Sequence, residues 1–158
     1  MEPFVLTGAD HIRNLLGEYC ARIDAGDFAG VGELFARGEL AAGPEDAPAF
    51  VSGSAAIAAF YASGTRIHED GTPGTKHIVA DTVIAEPDAD GTVTARSSYV
   101  VHQAAKGFAL QPIIAGRYVD RFARAEDGAG PNGGWHFVRR HFAIDLLGDL
   151  SHHWSGPT

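Results

Sequence analysis

Four residues in this chain are candidates for proton transfer by their type and their place in the sequence pattern: Tyr19, Asp24, His77 and His102. His77 heads "TKHIVAD" (75–81), where Ile78, Val79 and Ala80 suit a half-buried strand. A histidine there could be a surface residue, a packed residue or half of a proton-transfer site, and a partner decides between them. A carboxylate bonded to an imidazole fixes its tautomer and makes the other ring nitrogen a base that works near neutrality. Asp24 is the candidate partner. It follows Tyr19 by five residues in "YCARID", about 140° around an ideal helix. That places it at the flank of the helix's apolar stripe or on its last turn. Alone, Asp24 and Asp27 read first as residues that cap or solvate a helix junction.

Strand alternation extends the list. His77, Val79 and Asp81 share one face of their strand. On the next, Ser98, Val100 and His102 share a face, and Tyr99, Val101 and Gln103 take the other. If the first set faces inward, Val100 and His102 join the site. In "WHFVRRHF" strict alternation groups Val138, Arg140 and Phe142 with Ile144. An arginine among apolar neighbours needs a partner. Arg140 could bind a substrate carbonyl or carboxylate, or pair with Asp24. Arg139 and His141 then point to solvent or a subunit contact. Trp135, Phe137 and Tyr99 fall on the outer face, and an exposed aromatic patch marks an interface.

The elements that must hold these residues divide the chain in two. Ile12, Leu15, Leu16, Tyr19 and Ile23 recur at helical spacing, behind a Thr7 cap and Asp10. Gly26 breaks the pattern, and Asp27 can cap a second short helix carrying Phe28, Val31, Leu34 and Phe35. A Gly- and Pro-containing loop follows, with a short strand at 39–42, then a third helix over "GSAAIAAFYASG" capped by Ser52 or Ser54. Residues 76–86, 91–104, 109–124 and 134–147 read as long strands separated by turn sequences. Gly116 marks a bulge, and Pro112 needs an edge or a bulge. Helices followed by long antiparallel strands give an α+β domain over residues 1–158, with 148–158 as a C-terminal tail.

Composition narrows the functions. A net charge of −8 disfavours nucleic acid and anionic membrane surfaces. No apolar run is long enough to span a bilayer. "MEPFVLTGADH" has neither a basic n-region nor an apolar h-region, so no secretory signal is expected and the default location is cytoplasmic. One cysteine, Cys20, excludes an internal disulfide. No HExxH, cysteine pair or phosphate-binding glycine loop occurs, so no metal and no nucleotide cofactor is expected. "HHW" at 152–154 is two histidines without a third ligand.

"YCARIDAGDFAGVGELF", "KHIVAD" and "GRYVDRFAR" followed by "GGWHFVRRHFAID" resemble motifs of the NTF2-like, or SnoaL-like, superfamily, across residues 6 to 147. The resemblance implies a cone: a curved antiparallel sheet wrapped around N-terminal helices, with an apolar pocket inside. The scytalone dehydratase and bile-acid 7α-dehydratase type is the nearest in pattern. Its members use a Tyr and an Asp from the first helix with a His from the first long strand, matching Tyr19, Asp24 and His77. The bile-acid enzyme's carboxylate on the second long strand has no counterpart near Val100. The implied function is a cofactor-independent lyase or isomerase acting on an apolar, carbonyl-bearing molecule such as a steroid or polyketide. Tyr19, Asp24, His77 and His102 would be catalytic, with Arg140, Phe142, Val138 and Val100 binding substrate. The competing function is a non-catalytic ligand-binding or accessory module, such as the small subunit of a ring-hydroxylating oxygenase. A homodimer or homotrimer is implied either way.

Overall fold

Thr7 starts the first helix by a reciprocal cap: its side chain accepts from the Asp10 amide, and Asp10 accepts from the Thr7 amide at 2.9 Å. Helix α1 (Gly8–Asp24) then buries the stripe Ile12, Leu15, Leu16, Tyr19 and Ile23. Each such side chain contributes roughly 1.5–3 kcal/mol by leaving water. Asp27 caps α2 (Phe28–Leu34) by accepting from the Gly30 amide. The strands β1 (Glu39–Ala42) and β2 (Val51–Ser52) precede α3 (Ser54–Gly64). That helix is entered through Gly53 at φ 79°, with no side-chain cap, so neither Ser52 nor Ser54 plays the capping part. A computed structural model describes residues 4–155; residues 1–3 and 156–158 of the expected domain and tail lie outside the described residues.

The four long strands are β3 (Thr75–Ile84), β4 (Val93–Ala105), β5 (Phe108–Arg124) and β6 (Trp135–Leu147). With the short strands they form a curved, unclosed sheet of order β2-β1-β6-β5-β4-β3 among the described residues. The pairing is antiparallel except between β1 and β6, which run parallel, a departure from the all-antiparallel expectation. The helices and the concave face of the sheet enclose one core, from Ile12 and Val31 to Phe122 and Phe137.

Bulges set the curvature and which side chains point inward. Between Arg121/Phe122 and their partners the register slips by one residue, leaving Val138 unpaired on β6. Phe137 and Arg140 therefore both turn inward and are fully buried, where strict alternation had put them on opposite faces. Another slip lies beside Pro112 on β5, the kind of place its missing amide requires. A third is opposite Gly116. A Cβ at Gly116 would fall 2.0 Å from the Ala143 carbonyl oxygen and 2.8 Å from the Tyr99 ring, so only glycine lets Tyr99 lie across β5.

The tail is part of the fold. Residues 148–155 form a strap that turns back over the open end of the cone. The Gly148 amide donates to the Ile113 carbonyl, and Trp154 bridges to Thr65 just beyond α3. His152 stacks on Phe108 at the β4–β5 turn, with ring centroids 4.5 Å apart.

Candidate active site

Asp24 is the last residue of α1, and contact between α1 and β3 sets it over the start of that strand. Its carboxylate accepts from Thr75 Oγ1 (2.9 Å), the His77 amide (2.9 Å) and His77 Nδ1 (2.6 Å). Burial by itself would raise the Asp24 carboxyl; hydrogen bonds from His77 and Thr75, with the His77 charge, outweigh it and hold the pKa below the ordinary value. An ionised carboxylate only accepts, so Nδ1 carries a hydrogen, and in the base form of the ring Nε2 is the free nitrogen. The side chains of Asp24 and His77 are only 11% and 9% exposed.

His77 lines a cavity of about 160 Å³ between α3, the inner face of the sheet and the strap. All four tyrosines of the chain, Tyr19, Tyr61, Tyr99 and Tyr118, share its wall. Tyr19 stands at the centre of this cluster, edge-on to His77, Tyr61 and Tyr118, and its hydroxyl lies 3.2 Å from that of Tyr61. Tyr99 stacks flat on Tyr118, with centroids 4.1 Å apart. Burial raises the pKa of Tyr61 and Tyr118 well above the ordinary value and pushes Tyr99 up to about 12. These hydroxyls stay protonated, so each has a hydrogen to donate.

Arg140 lies beneath the cavity, not in its wall. Its partner is Asp120 on β5, not Asp24, with Nε and Nη2 each donating at 2.8 Å. Both side chains are fully buried. The guanidinium is sandwiched between the rings of Tyr118 (3.9 Å) and Tyr19 (4.2 Å), and Nη1 has no hydrogen-bond partner. Burial works against the charge, but the Asp120 carboxylate keeps Arg140 above its ordinary pKa.

The structure brings together Tyr19, Asp24, His77 and Phe142, with Arg140 behind them. It does not bring His102, Val100 or Val138. Tyr99, Val101 and Gln103 are the buried set on β4, so Val100 and His102 face outward. The bulge at Val138 turns that residue into an outer groove beside Arg139 and His141. There the 43–48 loop covers both: Arg139 donates to Glu39 and the Ala47 carbonyl, and His141 Nε2 meets the Gly43 carbonyl. The expected outer aromatic patch is absent. Phe137 stacks on Phe35 in the core, Tyr99 lines the cavity, and Trp135 packs against Gly8. The oligomer expectation loses that support.

His153 and Trp154, a tail motif by sequence, also line the cavity. Burial, and then the neighbouring His77 and His68, push the His153 pKa down to about 4, so its ring is neutral at pH 7. Tyr118 and Tyr99 lie on long strands, but which strand face turns inward is set by the sheet. Nothing local in "SHHW" marks it as cavity wall. Among the described residues, no three His, Cys, Asp or Glu side chains gather as a metal site, and no helix is long and apolar enough to cross a membrane.

An α+β cone holding a carboxylate-bound histidine in an aromatic cavity defines the class. The chain belongs to the SnoaL-like domain family, whose model matches residues 5–141. Solved structures agree in fold. ActVI-ORFA from Streptomyces coelicolor is similar at 24% identity and a TM-score of 0.66, covering 88% of this chain and 98% of its own. An NTF2-like protein with a cystatin-like fold from Novosphingobium aromaticivorans is 26% identical, with a TM-score of 0.64 and coverage of 87% and 82%. A protein provisionally assigned as a scytalone dehydratase, also from Novosphingobium aromaticivorans, is 18% identical, with a TM-score of 0.64 and coverage of 89% and 86%. No curated protein matches in sequence.

Proposed function

We propose that the chain is a dehydratase or isomerase that moves a proton on a small carbonyl compound, using side chains alone. The observation that carries this reading is the 2.6 Å contact between Asp24 and His77 Nδ1, on a ring that also lines the cavity. Membership of the SnoaL-like family and the fold shared with the provisional scytalone dehydratase support it. His77 Nε2 takes a proton from the carbon next to the carbonyl, and the C–H electron pair becomes the enolate. Tyr19, bonded to Tyr61, donates to the enolate oxygen. The Arg140 charge beneath the Tyr19 ring favours the anion, and Asp24 stabilises the imidazolium. The imidazolium then returns the proton to another carbon in an isomerisation, or to departing hydroxide in a dehydration, which releases water.

The cavity size limits the substrate. About 160 Å³ is close to the ~150 Å³ that accommodates one benzene ring. One ring fits beneath the docked strap, so a steroid would extend past the rim. A larger polyketide would place a single ring inside and the rest at the rim, where Phe60 and Trp154 are part-exposed.

The test is exchange of the α-hydrogens of acetophenone in heavy water, followed by NMR. Wild type should accelerate exchange and His77→Ala should not. Binding by wild type without exchange would overturn catalysis in favour of a ligand-binding module.

A further inference from the structure

His153 is the second histidine of this cavity, and its position is imposed by the fold. Its backbone is tied on both sides: its amide donates to the Leu150 carbonyl, and its carbonyl accepts from the Arg66 amide at 2.8 Å. On either side, the His152 carbonyl accepts from Gln103 Nε2 and meets His68 Nε2, and Trp154 bridges to Thr65. These bonds hold the His153 ring over the cavity rather than in solvent. The ring makes no side-chain hydrogen bond among the described residues, and its Nδ1 is buried without a partner. Nε2 is therefore its accessible polar atom, in a wall otherwise aromatic on this side. The strap also lies beyond residues 5–141, the part that matches the family model.

From this geometry we infer that His153 is a ligand-binding residue that reads a hydroxyl group on the substrate, so that the ligand is a hydroxylated aromatic carbonyl compound. A neutral imidazole presents Nε2 as a donor in one tautomer and an acceptor in the other, and a hydroxyl answers both, whereas a carbonyl oxygen answers only the first. The inference rests on the proposed carbonyl chemistry for the site's other end, where the Tyr19–Tyr61 hydroxyls take the carbonyl. His153 touches the ligand without moving the proton.

The experiment is a calorimetric titration of acetophenone and para-hydroxyacetophenone into wild type, His153→Phe and His153→Gln. Wild type should prefer the hydroxylated ketone by about five- to tenfold, the size of one net hydrogen bond. His153→Phe should bring that ratio to about one with acetophenone affinity little changed, and His153→Gln, which can still donate and accept, should keep a preference. A wild type without the preference, an unchanged ratio in His153→Phe, or parallel weakening of both ketones overturns the inference. Because titration reads binding alone, it stands apart from the exchange measurement: loss of the His153 effect leaves His77 chemistry intact, and absence of exchange leaves the His153 ratio readable.

Discussion

The cone contains two carboxylate pairs that meet the same tyrosine, one with a guanidinium and one with an imidazole, and they differ in what they leave over. In Asp120–Arg140 both carboxylate oxygens are taken by two parallel bonds, neither side chain has exposed surface, and aromatic rings cover the guanidinium. In Asp24–His77 the carboxylate also gathers Thr75 and a backbone amide, yet the imidazole ends on a nitrogen with no partner beside a cavity. The first pair is closed and can only support. The second is open, and an open atom at a cavity is what chemistry requires. Arg140 drew attention in the sequence because a buried arginine is rare, but its rarity reflects support for Tyr19.

This contrast can be broken by substitution. His77→Ala should cost the most in function: proton exchange should fall by ~10²–10⁴-fold, the usual contribution of a positioned base, with a smaller loss of stability than Asp120→Ala. Single-turnover rates at equal folded concentration check it, and a wild-type rate would remove the distinction between the pairs.

Asp120→Ala should do the reverse. It strands a buried guanidinium, which costs about 3–5 kcal/mol in urea unfolding, and the double change Asp120→Leu with Arg140→Met should recover most of that. Gly116→Ala should cost less, about 1–3 kcal/mol, because its Cβ must displace the β6 backbone or the Tyr99 ring. Unfolding midpoints rank the three.

Acid should separate the strap from the open pair. The His153 pKa is lowered from 6.5 to about 4 when docked. The free ring thus binds its proton more tightly, so docking is fully favoured above about pH 6.5 and is lost as pH falls from there through 4. His77 on β3 and His68 in the loop before it face the same ring, and the Tyr61 and Tyr99 hydroxyls there stay neutral. Trp154 emission, in a Trp135→Phe background, should shift to the red across that window. The Asp24 carboxyl is lowered below 3.8 instead. Its contribution is present above that pH and disappears only as pH falls through its lower folded value, so the strap should release first. A single coincident transition would merge the two.

Much of this arrangement was legible in the residues themselves. The α1 stripe, the Thr7–Asp10 cap and the Asp27 cap are local patterns, since a helix repeats within a few residues and its ends are satisfied by near neighbours. Tyr19 and Asp24 follow from that helix, and His77 from the strand it heads. What strand alternation could not reveal is where the alternation resets. A single unpaired residue at Val138 turned Phe137 from the surface into the core and sent Val138 out, and the choice of inner face on β4 separated Tyr99 from His102. Both depend on the partner strand, because a bulge is a mismatch between two strands and leaves no mark in one. The strap is the same case over a longer distance. "SHHW" carries no pattern that aims His153 at His77; that is decided by bonds to Gly64, Thr65, Arg66 and Gln103, distant in sequence and adjacent only once the cone has closed.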